Sequence, residues 1–404
     1  MLDEAGRGGD LARAWNRIVG KRIAIPEELA AQAGRELDAP IPASQALAML
    51  CDPAGAPQLT VDAAWRIDPR GDVLFDGPAD SVGRSRVPVA FSSDVLQTMC
   101  AYLPFLYAEL PVGDPVRAQA PVAYALVRAR LASPQLLLEL PGHHLHGAHR
   151  ATIDRVVAAL GGEPITGLGD GVIGHRVPGA VIVFETAGSA TLPGWLRLKL
   201  KLQPATLDDR SAAALAPLLV EIPERPAWHA LGYARSDDLA AMMARITDTP
   251  VPAGGWEQNP AASAAAVVGR AARRLELSGD AAALYLQYLA LLWPTAKNLL
   301  RWNGWAARRL DAAHAELTGR ALILEARRER AQRGHFLPGG WEALRSPHPP
   351  MESWKLPLYG RRSGSAAVPI LDRFAALAPF HLLFERAWQR VEAGDMPRYD
   401  EVTR

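Results

Sequence analysis

Nine basic residues fall between Thr295 and His335: Lys297, Arg301, Arg308, Arg309, Arg320, Arg327, Arg328, Arg330 and Arg333. Only Asp311, Glu316, Glu325 and Glu329 oppose them, so this stretch carries a net charge of +5. A guanidinium donates two parallel hydrogen bonds to phosphate oxygens. The chemistry this cluster suggests is therefore recognition of a polyanion rather than bond breaking. The 404-residue chain totals only +1, so the remainder carries −4 and any such attraction is local.

Other reactive residue types are present without a pattern that carries chemistry. His143, His144, His146 and His149 lie in PGHHLHGAH, a density of imidazole that could hold a transition metal. No carboxylate or cysteine supplements them, and Gly142 and Gly147 suggest a solvated loop, so no metal is expected. Gly169 to Gly174 satisfy GxGxxG, but a strand with Pro178 should follow, and there is no helix N-terminus to hold a pyrophosphate. No cofactor is expected. HExxH, Walker A, GxSxG and kinase motifs are absent, and Ser92, Ser93 and Ser189 have no identifiable base. An enzyme is disfavoured, with a hydrolase using an unrecognised site as the residual case.

The elements that would position the basic cluster are legible. Asp280 can cap a helix to Leu292, stopped by Trp293-Pro294. Thr295 caps a short helix, 296–302, and Asn303-Gly304 forms a tight turn. A third helix, 305–318, places Ala306, Leu310, Ala313 and Leu317 on one stripe, with Gly319 as its left-handed terminator. A strand over 321–327, a polar turn and a returning strand at His335–Leu337 complete the unit. Trp293, Trp302, Trp305, Trp341 and Trp354 are expected to brace it as core rather than stack on bases.

In this order the elements resemble a winged helix-turn-helix over residues 280–341. That resemblance implies that the third helix enters the major groove and that the hairpin wing touches backbone or minor groove. Carried onto this chain, Lys297, Arg301, Arg308 and Arg309 would contact DNA from the helices, and Arg327, Arg328, Arg330 and Arg333 from the wing. The segments 302–305 and 336–341 are also similar to pieces of large actinobacterial proteins of ATPase-containing conflict systems. That likeness transfers no site residue but raises an alternative, a protein–protein adaptor with an ATPase among its partners.

Around this unit the chain reads as α+β. Residues 1–132 are a helical region with a β-hairpin at 58–76, including a helix whose face carries Leu11, Trp15, Ile18 and Val19, and a strand at Val87–Phe91. Residues 133–205 form a small, mainly antiparallel sheet with strands near 136–140, 172–177, 180–186 and 195–202 and a helix at 149–160. In the last strand the leucines should face inward and Arg197, Lys199 and Lys201 outward to solvent. Residues 206–279 are helical, with helices at 207–219, 236–247 and 260–276, and residues 343–404 are a proline-rich linker and a final helix near 379–393. With 49% hydrophobic and 22% charged residues, the composition excludes disordered, collagenous and disulfide-scaffold classes. Two cysteines, Cys51 and Cys100, suit a reducing compartment. The longest apolar stretch, 281–293, falls short of the roughly 20 residues a bilayer span needs. A cytoplasmic, bacterial protein with no membrane partner is expected, in a regulatory or defence setting.

Overall fold

The structure, a computed structural model, describes residues 23, 25–76, 90–140, 142–185, 195–220, 226–346, 348–371 and 373–398. The expected helix around 11–19 and the start of the strand at 87–91 lie outside them. Ala90 and Phe91 are buried but form no strand. The described residues are α+β, with helices and antiparallel sheets. The helices of eight or more residues are α1 (Glu27–Glu36), α2 (Ala43–Cys51), α3 (Ser93–Glu109), α4 (Pro115–Leu131), α5 (Arg150–Ala159), α6 (Asp209–Val220), α7 (Pro226–Ala234), α8 (Asp237–Thr247), α9 (Ala265–Leu275), α10 (Gly279–Ala290), α11 (Ala296–Asn303), α12 (Ala307–Gly319) and α13 (Phe380–Glu392).

A hairpin of β1 (Ala64–Ile67) and β2 (Val73–Asp76) turns at 68–71, where Asp68 Oδ1 accepts from the amides of Arg70 and Asp72. The main sheet contains β3 (Leu138–Glu139), β4 (His143–His146), β5 (Glu163–Pro164), β6 (Val172–Val177), β7 (Ala180–Glu185) and β8 (Trp195–Leu202). Its order is β3-β8-β7-β6-β5, with β4 also on β8, all antiparallel. The histidine segment expected as a loop is therefore strand in part, because His143–His146 finds the free edge of β8. Among the described residues no group of three His, Cys, Asp or Glu could hold a metal. The GxGxxG stretch runs directly into β6.

The alternation of β8 holds for its leucines, which are buried, but its basic face is not solvated as expected. Lys199 and Lys201 are 3% and 0% exposed. The β1–β2 hairpin covers that face, with Trp65, Ile67 and Val73 packing on Leu137, Val181 and Val183. Lys199 is held by Asp72 at 2.8 Å, Glu185 at 2.7 Å and the Arg70 carbonyl at 2.7 Å, and Lys201 by Glu139 at 3.1 Å. The hairpin seats closely only because Gly71 has no Cβ. Its φ is +76°, and a methyl there would overlap Val183 Cγ1.

Buried apolar residues from Leu29 to Val391 form one contiguous cluster. At its centre every residue of α10 from Ala281 to Ala290 is buried, and the helix packs against α9, α12 and α13. A helix apolar all round is a core helix. Residues 343–378 are not the extended linker expected from their prolines. β11 (Trp341–Glu342) pairs with β12 (Met351–Glu352), and β13 (Gly360–Ser363) with β14 (Ala366–Pro369). Between them Trp354, Lys355, Leu356 and Tyr359 enter the core, and the hydroxyl of Tyr359 donates to the Ala290 carbonyl. Apolar burial overrides the local breaking tendency of proline here. Among the described residues no helix is long and apolar enough to cross a membrane.

Candidate nucleic-acid interface

Three helices and a two-stranded hairpin bring the basic cluster together. Ser278, rather than Asp280, caps α10, its Oγ accepting from the Ala281 amide at 3.2 Å. Trp293-Pro294 breaks the chain, and Thr295 Oγ1 accepts from the Asn298 amide to start α11. Gly304, at φ +63°, ends it. Asn303 contributes more than a turn, because its amide exchanges two hydrogen bonds with buried Gln287 of α10, at 2.9 and 3.1 Å. That reciprocal pair sets α11 against α10.

α12 buries Leu310, Ala313, His314 and Leu317, while Ala306, expected on the inner stripe, is an exposed N-cap. The left-handed terminator is Ala321 at φ +55°, not Gly319. The Leu322 amide reaches the Leu317 carbonyl and the Ala321 amide reaches that of Thr318, which is a Schellman closure. It consumes residues expected to be strand. The hairpin is accordingly short: β9 (Leu324–Glu325) pairs with β10 (His335–Phe336), joined by 326–334.

The eight basic residues expected to contact nucleic acid separate into two groups. Arg309 of α12 makes a two-point bridge to Asp280 of α10 at 2.6 and 2.7 Å. Arg301 lies over the Trp256 ring at 4.5 Å and reaches Glu109 at 3.6 Å. Arg328 donates to the carbonyls of Leu337, Gly339 and Gly340. Arg333 does not project from the wing tip as expected. Its side chain is 5% exposed, over the Tyr288, Phe336 and Trp341 rings, and it pairs with buried Glu352 at 2.8 Å. The counter-ion that draws it inward lies in the segment read as linker. Arg330 is exposed, at φ +58°, and donates to the His348 carbonyl at 3.5 Å. Lys297, Arg308 and Arg327 are exposed and make no ion pair or hydrogen bond among the described residues.

The acids of α12 are partly spoken for. Glu316 accepts from the amide and hydroxyl of Ser278 at 2.7 and 2.6 Å, tying α12 to the start of α10. Trp302, Trp305 and Trp354 are buried as core, whereas Trp293 is 40% exposed.

Sequence reasoning did not find a histidine pair where α12 meets the β9–β10 hairpin. His314 Nε2 meets the Tyr288 hydroxyl at 2.9 Å, and its ring stacks on that of His335 at 3.9 Å between centroids. Burial first, and the neighbouring imidazole second, pull His314 down to about 4. Burial also lowers His335, opposed by Glu325 and Asp311. His314 sits at the helical spacing of Leu310 and Leu317, which was the available signal. No protein-family model, curated protein or solved structure matches this chain.

Proposed function

We propose that residues 279–336 act as a winged helix-turn-helix that contacts DNA through Lys297, Arg308, Arg327 and Arg330. The observation that carries this reading is the unspent charge of Lys297, Arg308 and Arg327. Nearby arginines are consumed by carboxylates, carbonyls and rings, while these three are left exposed in the first turn of α11, the first turn of α12 and the wing. The N-terminal turns of the second and third helices are where helix-turn-helix proteins meet phosphates and base edges. The role of the remaining chain in this reading is to hold α10 and to receive a signal or partner.

Duplex binding measured by fluorescence anisotropy across a salt series tests the proposal. Affinity should fall steeply with salt, and Lys297→Ala, Arg308→Ala and Arg327→Ala should each reduce the logarithmic slope by about one. Absence of binding at low salt sinks it. The adaptor reading draws on a different observation. The outward residues Ala312, Ala315 and Gly319 of α12 carry no charge, and Trp293 is exposed nearby in sequence. It predicts a nuclease-resistant complex lost in Ala315→Glu.

A further inference from the structure

A cleft opens at the base of the wing, lined by Glu325, Arg327, Arg328, Ala331, Arg333 and His335. Behind it, Arg333 Nη2 and Lys355 Nζ share the carboxylate of Glu352, at 2.8 and 2.9 Å. Glu352 and Lys355 have no exposed surface. Two buried cations on one buried carboxylate leave a net positive charge, which a low-dielectric interior tolerates poorly. Nη1 of Arg333 is buried and makes no hydrogen bond among the described residues. A buried donor left without an acceptor is one that a bound anion or water would satisfy.

The rest of the lining fits the same acceptor. Arg327 is exposed and has no partner among the described residues. Arg328 is fixed in the wall by three carbonyls, and both it and Arg333 lie over the Phe336 and Trp341 rings, at 5.0–5.6 Å. The carboxylate of the lining, Glu325, is 77% exposed and lies 3.7 Å from His335. Arg327 brings an unspent guanidinium fork to the opening, and Arg328 and Arg333, though bonded elsewhere, add positive charge beside it. A phosphoryl group offers three equivalent oxygens and up to two charges.

We infer that this cleft binds a phosphoryl group, held by Arg327 at the opening and by Arg333 beneath it, and flanked by Arg328 and His335. The group belongs either to a free phosphorylated ligand or to a nucleic-acid backbone. The inference does not depend on the helices contacting DNA.

The test is calorimetric titration of the full chain with inorganic phosphate, against chloride at matched ionic strength. A single saturable site is expected. Arg327→Gln should weaken it by roughly tenfold or more, the loss of one charge-assisted donor. Arg333→Lys, which retains the charge opposite Glu352 but loses the fork, should do the same with an unchanged circular dichroism spectrum. Arg274→Gln, on α9, should leave binding as it is. No saturable heat at millimolar phosphate overturns the inference, as does binding untouched by both Arg327→Gln and Arg333→Lys. Phosphorus NMR on phosphate-loaded protein then separates the sources. Displacement by duplex DNA assigns the cleft to nucleic-acid phosphate, and simultaneous occupancy assigns it to a free ligand. Phosphate binding without any DNA binding refutes the proposed function and supports the cleft.

Discussion

Glu352→Gln preserves the shape of a fully buried side chain and removes the carboxylate shared by Arg333 and Lys355. Burial pushes the Glu352 carboxyl up, but the charges and hydrogen bonds of Arg333 and Lys355 override it and hold the group down to about 2. A carboxyl held that far below its ordinary 4.5 contributes about 3 kcal/mol to folding. This contribution is complete above the ordinary carboxylate range and is lost as pH falls through the folded value. Breaking a buried pair by removing one partner costs about 3–5 kcal/mol, because the other charge is stranded. The variant should therefore lose about 3–5 kcal/mol at pH 7, a large share of the roughly 5–15 kcal/mol by which folded domains are stable. Lys355 itself is pulled down to about 8 by burial, against the attraction of Glu352. Without Glu352 it sheds its proton more readily, so the deficit should shrink as pH rises. Adding Lys355→Met removes the stranded ammonium and should recover about half the loss or more. Urea unfolding followed by tryptophan fluorescence and circular dichroism reads both effects. A single variant costing less than about 1 kcal/mol, or a double variant no more stable than the single, refutes the reasoning.

His314, neutral in the fold, titrates in the unfolded chain near 6.5 and in the folded chain near 4. Wild-type stability should fall as pH drops through that window, and His314→Gln should flatten the decline in a series of thermal melts. Gly71→Ala meets Val183 and a positive φ together, and should cost about 1–3 kcal/mol by urea midpoint. Ala321→Gly relieves a left-handed alanine in the Schellman closure, and should raise stability by about 0.5–1 kcal/mol in the same assay. Arg309→Ala opens an ion pair that is 54% and 38% exposed, so its cost should stay under about 1 kcal/mol and vanish in high salt.

The parts of the fold legible in the sequence are those with local causes. The leucine alternation of β8, the hydroxyl cap at Thr295 and the glycine stop at Gly304 each depend on a few neighbouring residues, and each stands in the structure. What could not be read depends on partners distant in sequence. Lys199 and Lys201 look like a solvated face until a hairpin some 125 residues earlier covers them with Asp72 and its own apolar side chains. Arg333 looks like a wing-tip cation until Glu352 supplies a buried carboxylate 19 residues on. A warning was present in that second segment, because Trp354, Leu356, Leu358 and Tyr359 are too apolar for a solvated linker. Seven of the eight basic residues are arginines of one short stretch, yet the Arg333 side chain is buried while Arg308, Arg327 and Arg330 are exposed. Arg333 follows a buried counter-ion inward, whereas Arg309, whose counter-ion Asp280 is itself exposed, stays at the surface.

The burial of α10 also bears on modularity. In a detachable reader domain the first helix shows solvent one flank, and the unit can be excised or transplanted as a cassette. Here that helix has no such flank: α9 and α13 cover what α12 does not, Tyr359 is anchored on the carbonyl of its last residue, Ala290, and Lys355 on that of the following Leu291. Excising residues 279–341 would uncover the faces of α10 that α9 and α13 bury. The same arrangement makes the helix a shared wall, so that load applied to the outer surface of α12 is borne by the same hydrophobic interior as the rest of the chain.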